Sequence, residues 1–79
     1  MPVRVLFFGA TTKATGEREI EIEPATLMTS RDVFDQILSK YPDLSTHRLL
    51  YSVNQQYASG NEAVGDGDEL AIFTAVSGG

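Results

Sequence analysis

Apolar positions recur with a period of two in several stretches of this chain and with a period near 3.6 in one. Val3 to Phe8 is rich in β-branched and aromatic residues and ends at Gly9, which predicts a strand. Ala10 to Gly16 reads as a polar connection with room for one helical turn. Arg18 to Glu23 then alternates strictly, Ile20 and Ile22 on one side and Glu19, Glu21 and Glu23 on the other, as a half-buried strand requires. Pairing the two strands as a hairpin puts Val3, Val5 and Phe7 on one face with Ile20 and Ile22. Arg4 falls on the opposite face with the glutamates, within reach of one of them.

The period changes after residue 30. Val33, Phe34, Ile37, Leu38 and Tyr41 fall within an arc of roughly 140° at about 100° per residue, the signature of an amphipathic helix. Thr29 three residues before Asp32 has the spacing of a capping box, with Ser30 as the alternative cap. Pro42 ends the helix at Tyr41. Leu49 to Asn54 predicts a third strand, and Tyr57 lies beyond it near a short fourth. Gly65 to Glu69 (GDGDE) predicts a tight turn. Glu69 to Phe73 closes the pattern, with Leu70 and Ile72 on one face and Ala71 and Phe73 on the other. The order β, β, α, β, short β, β is that of an α+β domain. It describes a ubiquitin-like β-grasp, a mixed sheet of four to five strands with one main helix across one face. Residues 1–73 form the domain in this reading and residues 74–79 a flexible tail.

Composition narrows the chemistry. A chain of 79 residues, 42% hydrophobic and 22% charged, makes one small domain with a modest core and no room for a deep substrate cavity. It has no cysteine and a single histidine, which excludes disulfides, zinc sites of the usual nitrogen and sulfur ligands, and any sulfur or acyl group held on a protein thiol. Six basic against eleven acidic residues give a formal charge of −5, a poor match for nucleic-acid phosphates and a better one for a basic partner. No apolar run approaches the ~20 residues of a membrane span, and the amino terminus lacks the form of a signal peptide. A cytoplasmic location is expected.

No side-chain set reads as an active site. His47 sits in the polar stretch Ser45-Thr46-His47-Arg48, without a nucleophile to serve, and reads as a loop residue. Asp66 and Asp68 lack the further ligands of a calcium loop and read as turn residues. The glutamates from Glu17 to Glu23 read as the solvated side of a strand. No metal site is expected.

The end of the chain, Thr74-Ala75-Val76-Ser77-Gly78-Gly79, is the unusual feature. Six extended residues span at most about 20 Å. Gly78 and Gly79 carry no side chain and can thread a channel too narrow for other residues. The terminal carboxylate is then the one reactive group the tail offers. Activated as a mixed anhydride with AMP, it can be attacked by an amine or by a sulfur donor. At the base of the tail, Leu6, Phe8 and Phe73 fall out of phase with the core positions and predict an exposed apolar patch that Tyr57 extends.

These segments, taken together, resemble the sulfur-carrier subunits of molybdopterin synthase, the MoaD family, over essentially the whole chain. The similarity runs through Val3 to Gly9 (VRVLFFG), Ala14 to Gly16 (ATG), Tyr41-Pro42, Val53 to Gln55 (VNQ), Asp66 to Phe73 (DGDELAIF) and Val76 to Gly79 (VSGG). The resemblance implies that Gly79 is adenylated by a ubiquitin-activating-like enzyme of the MoeB type, which supplies ATP and magnesium, and is then converted to a thiocarboxylate. It implies that the tail, through Val76, Ser77 and Gly78, enters a large synthase subunit of the MoaE type and gives sulfur to cyclic pyranopterin monophosphate. Phe8, Tyr57 and Phe73 stand where the family places apolar partner contacts. Family tails commonly carry two prolines where this chain has Thr74-Ala75, so a floppier tail and weaker binding are expected here. A thiamine-pathway carrier, a protein modifier joined to lysines and a bare interaction module are the alternatives.

Overall fold

The computed structural model describes residues 2–23 and 28–75. In chain order the elements are β1 (Val3–Phe7), α1 (Ala10–Thr15), β2 (Glu19–Ile22), β3 (Met28–Thr29), α2 (Ser30–Lys40), a 3-10 turn (Pro42–Thr46), β4 (Leu49–Val53), β5 (Gln56–Tyr57), β6 (Ala63–Val64) and β7 (Glu69–Thr74). Five strands form one mixed sheet in the order β2-β1-β7-β4-β5, with β1 and β7 parallel and the other neighbours antiparallel. This is the ubiquitin-like β-grasp that the alternating pattern predicts.

Register explains the core. Val3 pairs with Ile22 and Val5 with Ile20 across the hairpin, while Val5 and Phe7 lie beside Leu70 and Ile72 of β7. The apolar side chains of β1 and β7 are therefore pushed to one face, where Val33 and Ile37 of α2 cover them; Val3, Val5, Val33, Ile37, Leu70 and Ile72 are fully buried. The 3-10 turn, begun by Pro42, adds the buried Leu44. Arg4 makes its short ion pair with Glu69 of β7, at 2.8 Å, and reaches Glu19 only at 4.0 Å. Glu19 is a partner on β2, as the pattern predicts; the parallel register sets Arg4 beside Glu69 as well, which adds the shorter pair.

Thr29 caps α2. Its hydroxyl accepts the Asp32 N–H at 3.2 Å, and the Asp32 carboxylate accepts the Thr29 N–H at 3.0 Å, which completes the capping box. Ser30, the alternative cap, is the first helical residue and is buried, with its hydroxyl donating to Glu62 Oε1 at 2.6 Å. Glu62 also accepts from Gly60 N–H at 3.0 Å and from the Ser59 N–H and hydroxyl at 2.8 and 2.9 Å. These donors, the Ser30 hydroxyl first, hold the Glu62 carboxyl well below the usual carboxylate range. A depressed folded value contributes stability above the unfolded pKa, here 4.5, and loses it as the pH falls below that value. Glu62→Gln is therefore expected to lower the urea midpoint at neutral pH without changing the slope, and the gap from wild type to narrow below pH 4.5.

The same loop closes on Gly60, whose φ is +110° and whose carbonyl accepts the Arg31 N–H at 3.1 Å. A Cβ at Gly60 would lie 3.3 Å from the Tyr51 hydroxyl and 3.5 Å from Arg31 Cβ. Gly60→Ala is expected to cost about 1–3 kcal/mol, chiefly from backbone strain, measured by thermal or urea unfolding.

Candidate functional site

The sheet face turned away from α2 divides into a polar end and an apolar end, and the register shows where. One cross-strand row runs Glu21, Arg4, Glu69. The next runs Glu19, Leu6, Ala71, Ser52, Tyr57. The Phe8 N–H donates to the Ile72 carbonyl at 3.1 Å, which prolongs the parallel ladder and sets Phe8 beside Phe73, and Phe73 pairs with Leu50. Phe8, Phe73 and Leu50 thus form the last row, at the end of the sheet from which the chain runs on toward Gly78 and Gly79.

This face stays open. Phe8 is 51% exposed, Leu50 41% and Tyr57 77%, while Leu6 and Phe73 are half-buried. The Tyr57 and Phe73 rings meet with centroids 5.9 Å apart and planes tilted by 57°. Two shallow grooves indent the surface. One, of about 380 Å³, is bounded by Leu6, Phe8, Thr12 and Arg18; the other, of about 250 Å³, lies among Ser52, Gln55, Tyr57 and Phe73. Leu6, Phe8, Tyr57 and Phe73 are therefore brought together as the sequence predicts. Leu50 was not anticipated, although its alternation with Leu49 and Tyr51 carried the signal.

Neighbouring polar bonds fix both margins. Thr11 is buried and its hydroxyl lies 2.6 Å from the Phe8 carbonyl and 3.1 Å from that of Ile72, which ties α1 to the ends of β1 and β7 and holds Phe8 in place. On the other side the β4–β5 hairpin turns through Asn54 and Gln55, both with positive φ (49° and 71°), as a two-residue turn of the primed kind demands. The Asn54 side chain donates to Asp68 Oδ1 at 3.1 Å and accepts the Glu69 N–H at 3.1 Å, which pins the turn that presents Tyr57.

β7 reaches Thr74, one residue past the end its sequence pattern suggests, and the Ala75 N–H donates to the Arg48 carbonyl at 2.9 Å. A proline at position 75 would have no N–H to give. The residues that replace the expected prolines are thus held in the ladder, rather than left to the tail. Val76, Ser77, Gly78 and Gly79 lie outside the described residues; fully extended, four residues reach at most about 14 Å beyond Ala75.

The remaining candidates keep structural roles. His47 is exposed and closes the 3-10 turn, its N–H donating to the Leu44 carbonyl at 3.0 Å. Asp68 accepts the Gly65 N–H at 2.9 Å within the turn. Glu17, Glu19, Glu21 and Glu23 are exposed. Among the described residues no group of three or more histidine or acidic side chains could hold a metal, and no helix is long and apolar enough to cross a membrane.

Comparison with known proteins places these features. Residues 5–79 match the ThiS family. The molybdopterin synthase sulfur carrier subunit of Mycobacterium tuberculosis is 39% identical, over 98% of this chain and 96% of that one. Among solved structures, small archaeal modifier protein 1 of Haloferax volcanii superposes with a TM-score of 0.86 at 26% identity, covering 100% of both chains. A chain in the complex of subunits 1 and 2 of the molybdopterin-converting factor from Helicobacter pylori has the same fold, with a TM-score of 0.68 at 24% identity and full coverage of both chains.

Proposed function

Because the chain belongs to the ThiS family, we propose that it is the sulfur-carrier subunit of a molybdopterin synthase and carries its sulfur on Gly79. The observation that carries this reading is spatial. The apolar half of the open sheet face, Phe8, Phe73 and Leu50, ends where the chain leaves β7 for its last residues, Gly78 and Gly79. A partner that covers the face receives the tail at a fixed origin, and side-chain-free glycines at its tip pass into a narrow channel.

The chemistry follows from what the chain lacks. With no cysteine, it offers the terminal carboxylate as the place to hold sulfur. A carboxylate needs activation; an adenylating enzyme of the MoeB type, with its own ATP and magnesium, converts Gly79 to an acyl adenylate and releases pyrophosphate. A sulfur donor displaces AMP and leaves the thiocarboxylate. The large synthase subunit, of the MoaE type, takes up the tail and supplies the catalytic side chains, while Gly79 gives up its sulfur to cyclic pyranopterin monophosphate. A dithiolene needs two sulfurs, so two charged carriers are consumed per product. This chain acts as a carrier in the cytoplasm rather than as a catalyst.

The test is reconstitution. Carrier bearing the thiocarboxylate, large subunit and precursor are expected to yield molybdopterin at two carriers per product; carrier with an ordinary carboxylate is expected to yield none. The likeness to an archaeal modifier favours a second reading, conjugation of Gly79 to lysines. Conjugates of higher mass that survive reducing gels would support it. The matching curated relatives are named for molybdopterin synthase, which favours that route over a thiamine-pathway carrier.

A further inference from the structure

The hairpin at the edge of the open face carries a residue that does not suit its turn. The β4–β5 connection passes through Asn54 and Gln55, at φ of 49° and 71°. Both central positions of such a turn lie in the left-handed region, where asparagine is tolerated and glycine is favoured at the second. Gln55 has neither advantage, so its backbone is held in a conformation it disfavours. Strain of this kind persists where the surroundings fix the chain, and it gathers at functional positions. Here the Asn54 side chain does the fixing, through Asp68 Oδ1 and the Glu69 N–H, each at 3.1 Å. Contacts within the chain do not account for Gln55 itself. Its side chain is exposed and forms no hydrogen bond or ion pair with the described residues. It borders the groove of about 250 Å³ that Ser52, Tyr57 and Phe73 complete, and the Ser52 hydroxyl likewise has no partner among the described residues. The groove thus has aromatic walls, two unengaged polar groups and no charged residue in its lining.

We infer that Gln55 is a contact residue of the docking face, and that its carboxamide hydrogen-bonds an amide of the partner's main chain in this groove. The inference rests on the docking reading above and adds a polar anchor to its apolar row. A carboxamide has an oxygen to accept and an NH2 to donate, the complement of a peptide group. An ionic group of the partner would find no counter-charge in the groove, whereas a peptide group finds both halves of its match. The position suits the task. Gln55 leads into β5, and the Tyr57 ring of β5 meets that of Phe73 at 5.9 Å, so the groove is continuous with the centre of the row. A partner that covers Tyr57 and Phe73 excludes water from the groove, and a hydrogen bond formed there is stronger than one at an open rim. The turn therefore gives up some stability of the free chain to hold a donor and an acceptor in place before binding.

The test sets affinity against stability. Binding to the purified large synthase subunit is measured by calorimetry, and folding by urea unfolding of the free chain. Gln55→Gly relieves the turn and is expected to raise the urea midpoint while it weakens docking about fivefold, the loss of one or two neutral hydrogen bonds. Gln55→Met keeps the length and the strain but has no amide. It is expected to leave the midpoint near that of wild type and to weaken docking as much. Gln55→Glu loses the donor and adds a charge, and is expected to weaken docking further. Wild-type affinity in Gln55→Gly or Gln55→Met would overturn the inference, as would a lowered midpoint in Gln55→Gly. Tighter docking of Gln55→Glu would overturn it too, since that marks a cationic group in the groove. Each of these results leaves the docking reading intact as long as Phe73→Ala still weakens binding. No association of the wild-type chain would overturn the docking reading and this inference with it.

Discussion

Deletion of Gly79 is expected to abolish sulfur transfer while the chain still docks with nearly its full affinity. The two properties depend on different parts of the molecule. In the proposed reading, docking uses Leu6, Phe8, Leu50, Tyr57 and Phe73, all outside the tail, and transfer uses the carboxyl carbon at the tip. Without Gly79 that carbon belongs to Gly78 and stops about 3.5 Å short. Misplacement of a reacting atom by 1 Å can already cost about 100-fold, so a shortfall of one residue takes the rate to background. The Ala75 to Arg48 bond fixes where the tail begins, so slack in the strand cannot make up the difference. Product formation and calorimetry on the same preparation check this pair of outcomes. Transfer that persists in the shortened chain would place the sulfur somewhere other than Gly79.

Phe73→Ala is expected to weaken docking by about 1–3 kcal/mol, roughly 5- to 150-fold in Kd. Phe73 has Phe8 on one side and Leu50 on the other, with the Tyr57 ring against it at 5.9 Å. It is the centre of the row, the position in an interface where aromatic residues contribute most. Because the ring is half-exposed in the free chain, its loss removes less from folding than a buried core ring would. The expected result is a large change in affinity with a small change in melting temperature. Unchanged affinity by calorimetry would remove Phe73 from the interface.

The sheet and α2 were legible because their residues repeat with clear periods. Ile20 and Ile22 against the glutamates fixed β2, and Thr29 with Asp32 fixed the start of α2 down to its cap. The β3–β6 ribbon was not legible, since two-residue strands show no period, and neither was the 3-10 turn that buries Leu44. The parallel pairing of β1 with β7 is a long-range fact, and it gave Arg4 a second and shorter partner, Glu69, beside Glu19 of β2. At the site, Leu6, Phe8 and Phe73 were visible by phase alone. Leu50 and Arg48 gained meaning only when β4 was set beside β7. The expectation of a loose segment at Thr74-Ala75 came from the missing prolines; it did not foresee that the freed N–H of Ala75 would pair with Arg48.

The most direct test of the carrier reading is mass spectrometry of the C-terminal peptide after incubation with a cognate activating enzyme, ATP and a sulfur source. Replacement of one oxygen by sulfur is nearly matched in mass by oxidation of Met1 or Met28, so the peptide itself must be resolved. Sulfur localised on Gly79 is the result expected of a carrier. An unmodified Gly79, with an activating enzyme shown to be competent on a known carrier, would contradict it.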